Sequence, residues 1–229
     1  MVNGNALEVV LNTRKEVVAR NSGESLDVLL RLRAHEESAG NARTPLAISL
    51  VIDRSGSMNG GKLEEAKRCA IDLLNRLHDS DQVSVIIYDD YVDVLLETMS
   101  AQIAKTLLPI RLESIEPRGM TDLHGGWLSG AQSLAPLVSR DRGLMSRVIL
   151  LSDGQANVGI TSTEAVCMHV RELAAAGVTT STVGIGLEFN EELMTAIAKA
   201  GQGNSWYGQR AEDLAESFDA EMSFLANLV

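Results

Sequence analysis

The chain has 229 residues, 45% hydrophobic and 22% charged, enough for one α/β domain with a sizeable core. Its net charge of −11 argues against a nucleic-acid partner, whose phosphates need a basic surface, and offers no basic patch to anionic lipid. No run approaches the roughly twenty apolar residues of a membrane span, and Met1 to Asn5 lacks the regions of a signal peptide, so direct membrane insertion is not expected and the compartment stays open.

From the N-terminus, Leu7 to Leu11 and Leu26 to Arg33 partly alternate apolar and polar residues across the turn signal Asn21-Ser22-Gly23. That pattern predicts half-exposed antiparallel strands. A polar loop, Glu36 to Thr44, separates them from the rest of the chain, so residues 1–44 read as a β-strand extension and 45–229 as the main domain. The chain is also expected to be part of a larger polypeptide. After Pro45 comes Leu46 to Ile52, an apolar run rich in β-branched residues that stops at Asp53. Such a run fits a strand buried on both faces of a parallel sheet.

Beyond Gly61 the period changes. Leu63, Ala66, Cys69, Ala70, Leu73, Leu74 and Leu77 form one helical stripe. Strands are predicted at 83–88 and 92–96, with a turn at Asp89-Asp90. Ser100 is placed to cap a helix over Ile103, Leu107 and Leu108 that Pro109 disturbs. Helices at 123–138, 163–176, 191–200 and 211–228 then alternate with strands at 148–151, 179–185 and around 205–207. Alternation of this kind predicts a doubly wound, mostly parallel sheet with helices on both faces. Cys69 and Cys167, the two cysteines, fall on core-facing helical positions and read as buried thiols rather than a disulfide or a zinc site.

In open parallel sheets, ligands bind beyond the carboxyl ends of the strands. Asp53, Ser55 and Ser57 stand there at i, i+2 and i+4, and a near-extended loop would turn all three toward one point suited to a hard divalent cation. The same residues also suit a simpler role, with Ser57 or Asn59 starting the next helix as its cap. Two further loops carry oxygen ligands, Thr121 with Asp122 and Asp153 in Leu-Ser-Asp-Gly.

Together, Asp53-x-Ser55-x-Ser57-Met58, Gly119-x-Thr121-Asp122-Leu123 and Ser152-Asp153-Gly154-x-x-Asn157 resemble the von Willebrand factor A domain family, above all its bacterial and plant-type members. The resemblance covers about residues 45–229, and several such members have strands ahead of the domain. It implies a metal-ion-dependent adhesion site with Asp53, Ser55, Ser57, Thr121 and Asp153 as ligands, one or both aspartates acting through water. Two carboxylates and three neutral hydroxyls just neutralise a dication and leave at least one octahedral position to an outside oxygen. A Glu or Asp carboxylate from a protein partner suits that position. So few carboxylates favour Mg²⁺ or Mn²⁺ over Ca²⁺. The resemblance also raises a switch, in which the last helix slides when an acidic ligand completes the shell.

The chief expectation is therefore a non-enzymatic, metal-dependent protein-binding module. One alternative is a Mg²⁺-dependent phosphotransferase or phosphatase, which would want a second Asp where Ser55 stands and a lysine after the Thr121 loop. The other is a structural domain of a larger assembly. No serine is paired with a motif-linked histidine, and Gly184-Ile185-Gly186 is not a dinucleotide fingerprint. Asp122 is expected to support its loop, His124 to make a local hydrogen bond, Asn157 to cap a turn, and Arg54 and Met58 to point outward. His35, His78 and His169 read as scattered.

Overall fold

The computed structural model describes residues 7–13, 28–34, 45–141, 143–187 and 189–226. The chain divides into two compact units, Met1–Arg43 and Thr44–Val229. In the first, β1 (Leu7–Thr13) pairs antiparallel with β2 (Val28–Ala34), from Leu7 opposite Ala34 to Thr13 opposite Val28. Val9, Leu11, Val28, Leu29 and Leu30 are all exposed. The predicted strands are present, but the successive residues Val28, Leu29 and Leu30 point to both faces of the ribbon, so exposure is not confined to one side. A two-stranded ribbon has no second layer to bury a face. The predicted turn, the polar loop and His35 lie outside the described residues.

The second unit holds one six-stranded sheet of order β5-β4-β3-β6-β7-β8. Its strands are β3 (Leu46–Asp53), β4 (Gln82–Tyr88), β5 (Val92–Ser100), β6 (Met145–Ser152), β7 (Val178–Ile185) and β8 (Gln202–Gly208). All pairings are parallel except β4 with β5, a hairpin that puts an antiparallel strand on one edge. This is the doubly wound, mostly parallel architecture expected from the alternation, with a small antiparallel sheet ahead of it.

The central strand β3 explains the two layers. Leu46, Ile48, Leu50 and Ile52 enter one core, with α1 (Lys62–Arg76), α2 (Ala101–Leu112) and α6 (Ala215–Ala226). Ala47 and Val51 enter the other, with α3 (Leu123–Arg140), α4 (Thr163–Ala175) and α5 (Glu191–Ala200). Successive side chains on a strand face opposite ways, so a strand buried on both sides must be apolar throughout. The exception, Ser49, is satisfied by the Ser84 hydroxyl at 3.0 Å, which also meets Ser133 Oγ at 2.7 Å.

Helix α3 lies very close to the sheet. A Cβ on Gly126 would stand 2.4 Å from the Tyr88 ring, and one on Gly130 would stand 2.4 Å from Val51 Cγ2. Four residues apart, the two glycines occupy one helical face, and their bareness sets the depth at which the Thr121 loop meets the end of β3. Three details of the helices differ from the sequence reading. Helix α2 continues through Pro109 to Leu112, since a proline removes one backbone bond without ending a packed helix. Ser100 stands at its N-cap without a side-chain capping bond. The last helix begins as a 3-10 turn, Ala211–Leu214, before α6; the expected end at Leu228 lies outside the described residues. Both cysteines are buried and free, and burial pushes the Cys69 thiol up to about 12. Among the described residues, no helix is long and apolar enough to cross a membrane.

Candidate metal centre

The chain runs outward from β3 through β4 to β5, then returns to add β6, β7 and β8 on the other side. The order therefore reverses between β3 and β6, and crevices for ligands form at such switch points. Asp53 ends β3 and Ser152 ends β6, and the Ser152 hydroxyl donates to Asp53 Oδ2 at 2.6 Å. The loop after β3 curls at once, because the Ser55 N–H donates to Asp53 Oδ1 at 2.8 Å. Ser55 Oγ then meets Ser57 Oγ at 3.0 Å, and Ser57 Oγ donates to Asp153 Oδ1 at 3.2 Å. Two carboxylates and two hydroxyls from two loops are thus gathered, Asp53 joined to Ser55 through the backbone N–H and the two hydroxyls to each other and to Asp153. Asp53, Ser55 and Asp153 are fully buried and Ser57 half-buried.

Thr121 is tied by its backbone to the loop that carries Asp153 rather than to the four side chains themselves. Its N–H donates to Asn157 Oδ1 at 2.8 Å, and its carbonyl accepts from Asn157 N and Val158 N, both at 3.1 Å. The third loop is thereby stitched to the one carrying Asp153, with Thr121 1% exposed. Asp122 supports this loop as expected, capping α3 by accepting the Gly125 N–H at 2.9 Å. Asn157 departs from its expected role: its side chain bridges two loops rather than capping a turn. Gly154 has φ +73°, and a Cβ there would stand 3.0 Å from Asn190 Cβ, so the turn after Asp153 requires glycine.

Arg54 and Met58 do not point outward. Met58 is fully buried in the core beneath the loop. Arg54 is 6% exposed; its Nη2 donates to Asp93 Oδ2 at 2.5 Å, and its Nε lies 2.8 Å from Asp89 Oδ2 as an ion contact whose N–H is not aligned for a hydrogen bond. Asp89 also accepts from Arg118 Nε at 2.7 Å, while Arg118 N donates to the Arg54 carbonyl at 2.8 Å. This acid–base cluster joins the first loop to the Thr121 loop. Of the histidines read as scattered, His169 is not isolated: His124 Nε2 meets His169 Nδ1 at 2.9 Å, linking α3 to α4 rather than bonding locally. Pairings across 35 to 45 residues leave no local periodicity, so nothing in the sequence marked them.

The donors fit a hard dication. They are oxygens only; among the described residues no group of three or more His, Cys, Asp or Glu gathers as a softer site. Asp53 is paired with no cationic side chain among the described residues, and burial pushes its carboxyl above the usual range despite bonds from Ser152 and Ser55. A buried carboxylate with neutral donors alone is a group that a metal ion would stabilise. Tyr88, level with Asp53 across β3 and β4, keeps a buried hydroxyl with no well-aligned hydrogen-bond partner among the described residues. Burial, then the charge of Asp53, holds that phenol well above its ordinary value.

Comparison with known proteins bears on the family. The family model described as the von Willebrand factor type A domain matches residues 47–220. An uncharacterized protein of Synechocystis sp. is 30% identical over 81% of this chain and 43% of its own length. The chain spans less than half the length of the curated relatives it matches. Among solved structures, a von Willebrand factor type A protein from Catenulispora acidiphila aligns with a TM-score of 0.70 at 20% identity, over 96% of this chain and 49% of that one. Manganese-loaded TRAP protein from Plasmodium vivax aligns at 0.63 and 17% identity, over 78% and 73% of the two chains. Proximal thread matrix protein 1 of the mussel byssus, with a zinc-occupied MIDAS motif, aligns at 0.60 and 20%, over 80% and 46%. These structural likenesses concern the fold; the family model covers most of the chain, which belongs to the von Willebrand factor type A domain family.

Proposed function

We propose that residues 45–229 form a non-enzymatic, metal-dependent protein-interaction module, with residues 1–44 a separate β extension. In this reading Asp53, Ser55, Ser57, Thr121 and Asp153 hold Mg²⁺ or Mn²⁺, directly or through water, and a partner's Glu or Asp carboxylate completes the shell. The observation that carries it is the gathering of these groups by hydrogen bonds, the Ser55 N–H on Asp53 and the Ser55 hydroxyl on Ser57, which in turn donates to Asp153. Metals named in the structures of the Plasmodium and mussel proteins support a divalent ion. The all-oxygen donors favour Mg²⁺ or Mn²⁺, and two carboxylates are too few for the six to eight oxygens of Ca²⁺. When bound, the ion supplies a point of positive charge at the end of the sheet. The chain's own residues orient it: Ser152 and the Ser55 N–H aim Asp53, and Asn157 fixes the Thr121 loop. Acidity of the whole chain supports a protein partner over nucleic acid or lipid.

The phosphotransferase alternative gains one residue from the structure, since a lysine does reach Asp153 (Lys62, from α1). It still lacks a second carboxylate beside Asp53, where Ser55 stands. Titration calorimetry with Mg²⁺ and Mn²⁺ on the metal-stripped chain tests the proposal. Binding is expected, abolished by Asp53→Asn or Asp153→Asn. No binding at millimolar metal would overturn it in favour of a structural role. Mg²⁺-dependent hydrolysis of p-nitrophenyl phosphate that Asp53→Asn removes would establish an enzyme instead.

A further inference from the structure

Counting charges in the sequence finds two carboxylates at the site and no cation. The fold adds one. Lys62, the first residue of α1, extends to Asp153, with Nζ 2.9 Å from Oδ2; its side chain is 25% exposed while that of Asp153 is fully buried. This reach is supported along its length. Gly186, just beyond β7, adopts φ +91°, and a Cβ there would stand 3.1, 3.2 and 3.4 Å from Lys62 Cε, Cδ and Cγ. The bare glycine backbone is a track for the lysine stem. Asp153 divides its oxygens: Oδ1 takes the Ser57 hydroxyl at 3.2 Å and the Gln155 N–H at 3.3 Å, and Oδ2 takes the ammonium. Asp53 takes only neutral donors. Among the described residues Lys62 is the one cation paired with either aspartate.

From this geometry we propose that Lys62 is a tethered cation that competes with the divalent metal for Asp153, so that metal enters by displacing an ammonium. The inference rests on the reading of the site as a metal centre. Without metal the two aspartates and Lys62 sum to −1; with a dication and the lysine still tethered nearby they sum to +1. A lysine suits this exchange, being a compact charge on a flexible four-carbon stem rather than a rigid fork. The competition has two effects. Lys62 weakens metal binding, both by occupying Oδ2 and by repelling the dication. It also leaves the loaded site with a net positive charge, which selects an anionic side chain over a neutral one.

The test is titration calorimetry of Mn²⁺ into the EDTA-stripped and dialysed chain, comparing wild type with Lys62→Met and Lys62→Arg. Removing one adjacent cation is expected to tighten Mn²⁺ binding about tenfold, with the gain shrinking as sodium chloride rises from 50 mM to 1 M. Lys62→Arg, which keeps the charge, should show no such gain. Should Lys62→Met bind Mn²⁺ no more tightly than wild type, the lysine merely orders Asp153 and the proposal fails while the metal reading stands. No heat from any of the three would overturn the metal reading and this proposal together. Lys62→Gln, nearer in polarity, replaces Lys62→Met if circular dichroism shows the latter unfolded.

Discussion

Glu221 sits on α6 with 2% of its side chain exposed, against an equally buried Arg147 from β6. Its carboxylate contacts Arg147 Nη1 and accepts from Ser181 Oγ at 2.7 Å and Asn204 Nδ2 at 2.6 Å. Glu221→Ala deletes the acceptor of all three. Arg147 is then left with uncharged oxygens only: Thr179 Oγ1 at 3.0 Å, Ser181 Oγ at 3.2 Å and the Gln202 carbonyl at 3.4 Å. Stranding one partner of a buried pair costs about 3–5 kcal/mol, a large part of the 5–15 kcal/mol typical of a domain. Replacing both, Arg147→Met with Glu221→Leu, removes the stranded charge and should restore most of the loss. Urea unfolding followed by circular dichroism, extrapolated linearly to water, measures both. A loss below about 1 kcal/mol for Glu221→Ala would refute the claim that this cluster fastens the last helix. The result also bears on the sliding helix that the family resemblance raised. A slide of one turn moves a residue about 5.4 Å and takes Glu221 out of reach of its donors, so the movement has to break the same cluster.

Other perturbations draw on the same contacts. Asp53→Asn should abolish metal-dependent stabilisation yet raise the melting temperature of the metal-free chain by about 2–4 °C, the shift for roughly 1 kcal/mol at this size, because it removes a buried charge lacking a cation; a lower melting temperature in EDTA would contradict this. Gly130→Ala drives a methyl against Val51 and Ser49 in a packed strand and should cost about 1–3 kcal/mol, measured by the same urea unfolding. Burial first, then the charge of His169, hold His124 below its ordinary 6.5, with Asp122 opposing. The unfolded chain therefore binds more protons below that value, so stability from this site is complete above pH 6.5 and is lost as pH falls through the folded-state pKa. Unfolding midpoints between pH 7.5 and 5 should fall more steeply for wild type than for His124→Gln, and parallel slopes would sink the assignment.

Local patterns along the chain were enough for its elements and for the loops that carry the proposed ligands. The run 46–52, apolar but for Ser49 and ending in Asp53, the helical stripe from Leu63 to Leu77 and the regular alternation after it specify a doubly wound sheet, because burial on two faces imposes nearly continuous hydrophobicity on the strands and period 3.6 on the helices. Asp53, Ser55 and Ser57 were legible for a related reason: they share one loop at a strand end, where sheet topology puts ligands. What the sequence could not carry is contact between distant segments. Lys62 sits nine residues from Asp53, yet it pairs with Asp153 in the loop beyond another strand. Arg54 and Met58 flank the ligand loop and read as exposed, but turn inward against Asp89, Asp93 and the core. Buried ionic pairs such as Arg147 with Glu221 look in sequence like ordinary surface charges, since charge has no period that separates a solvated side chain from one enclosed with its partner. The chemistry of the proposed ligands was written locally; the charge balance around them was decided only when distant strand ends met.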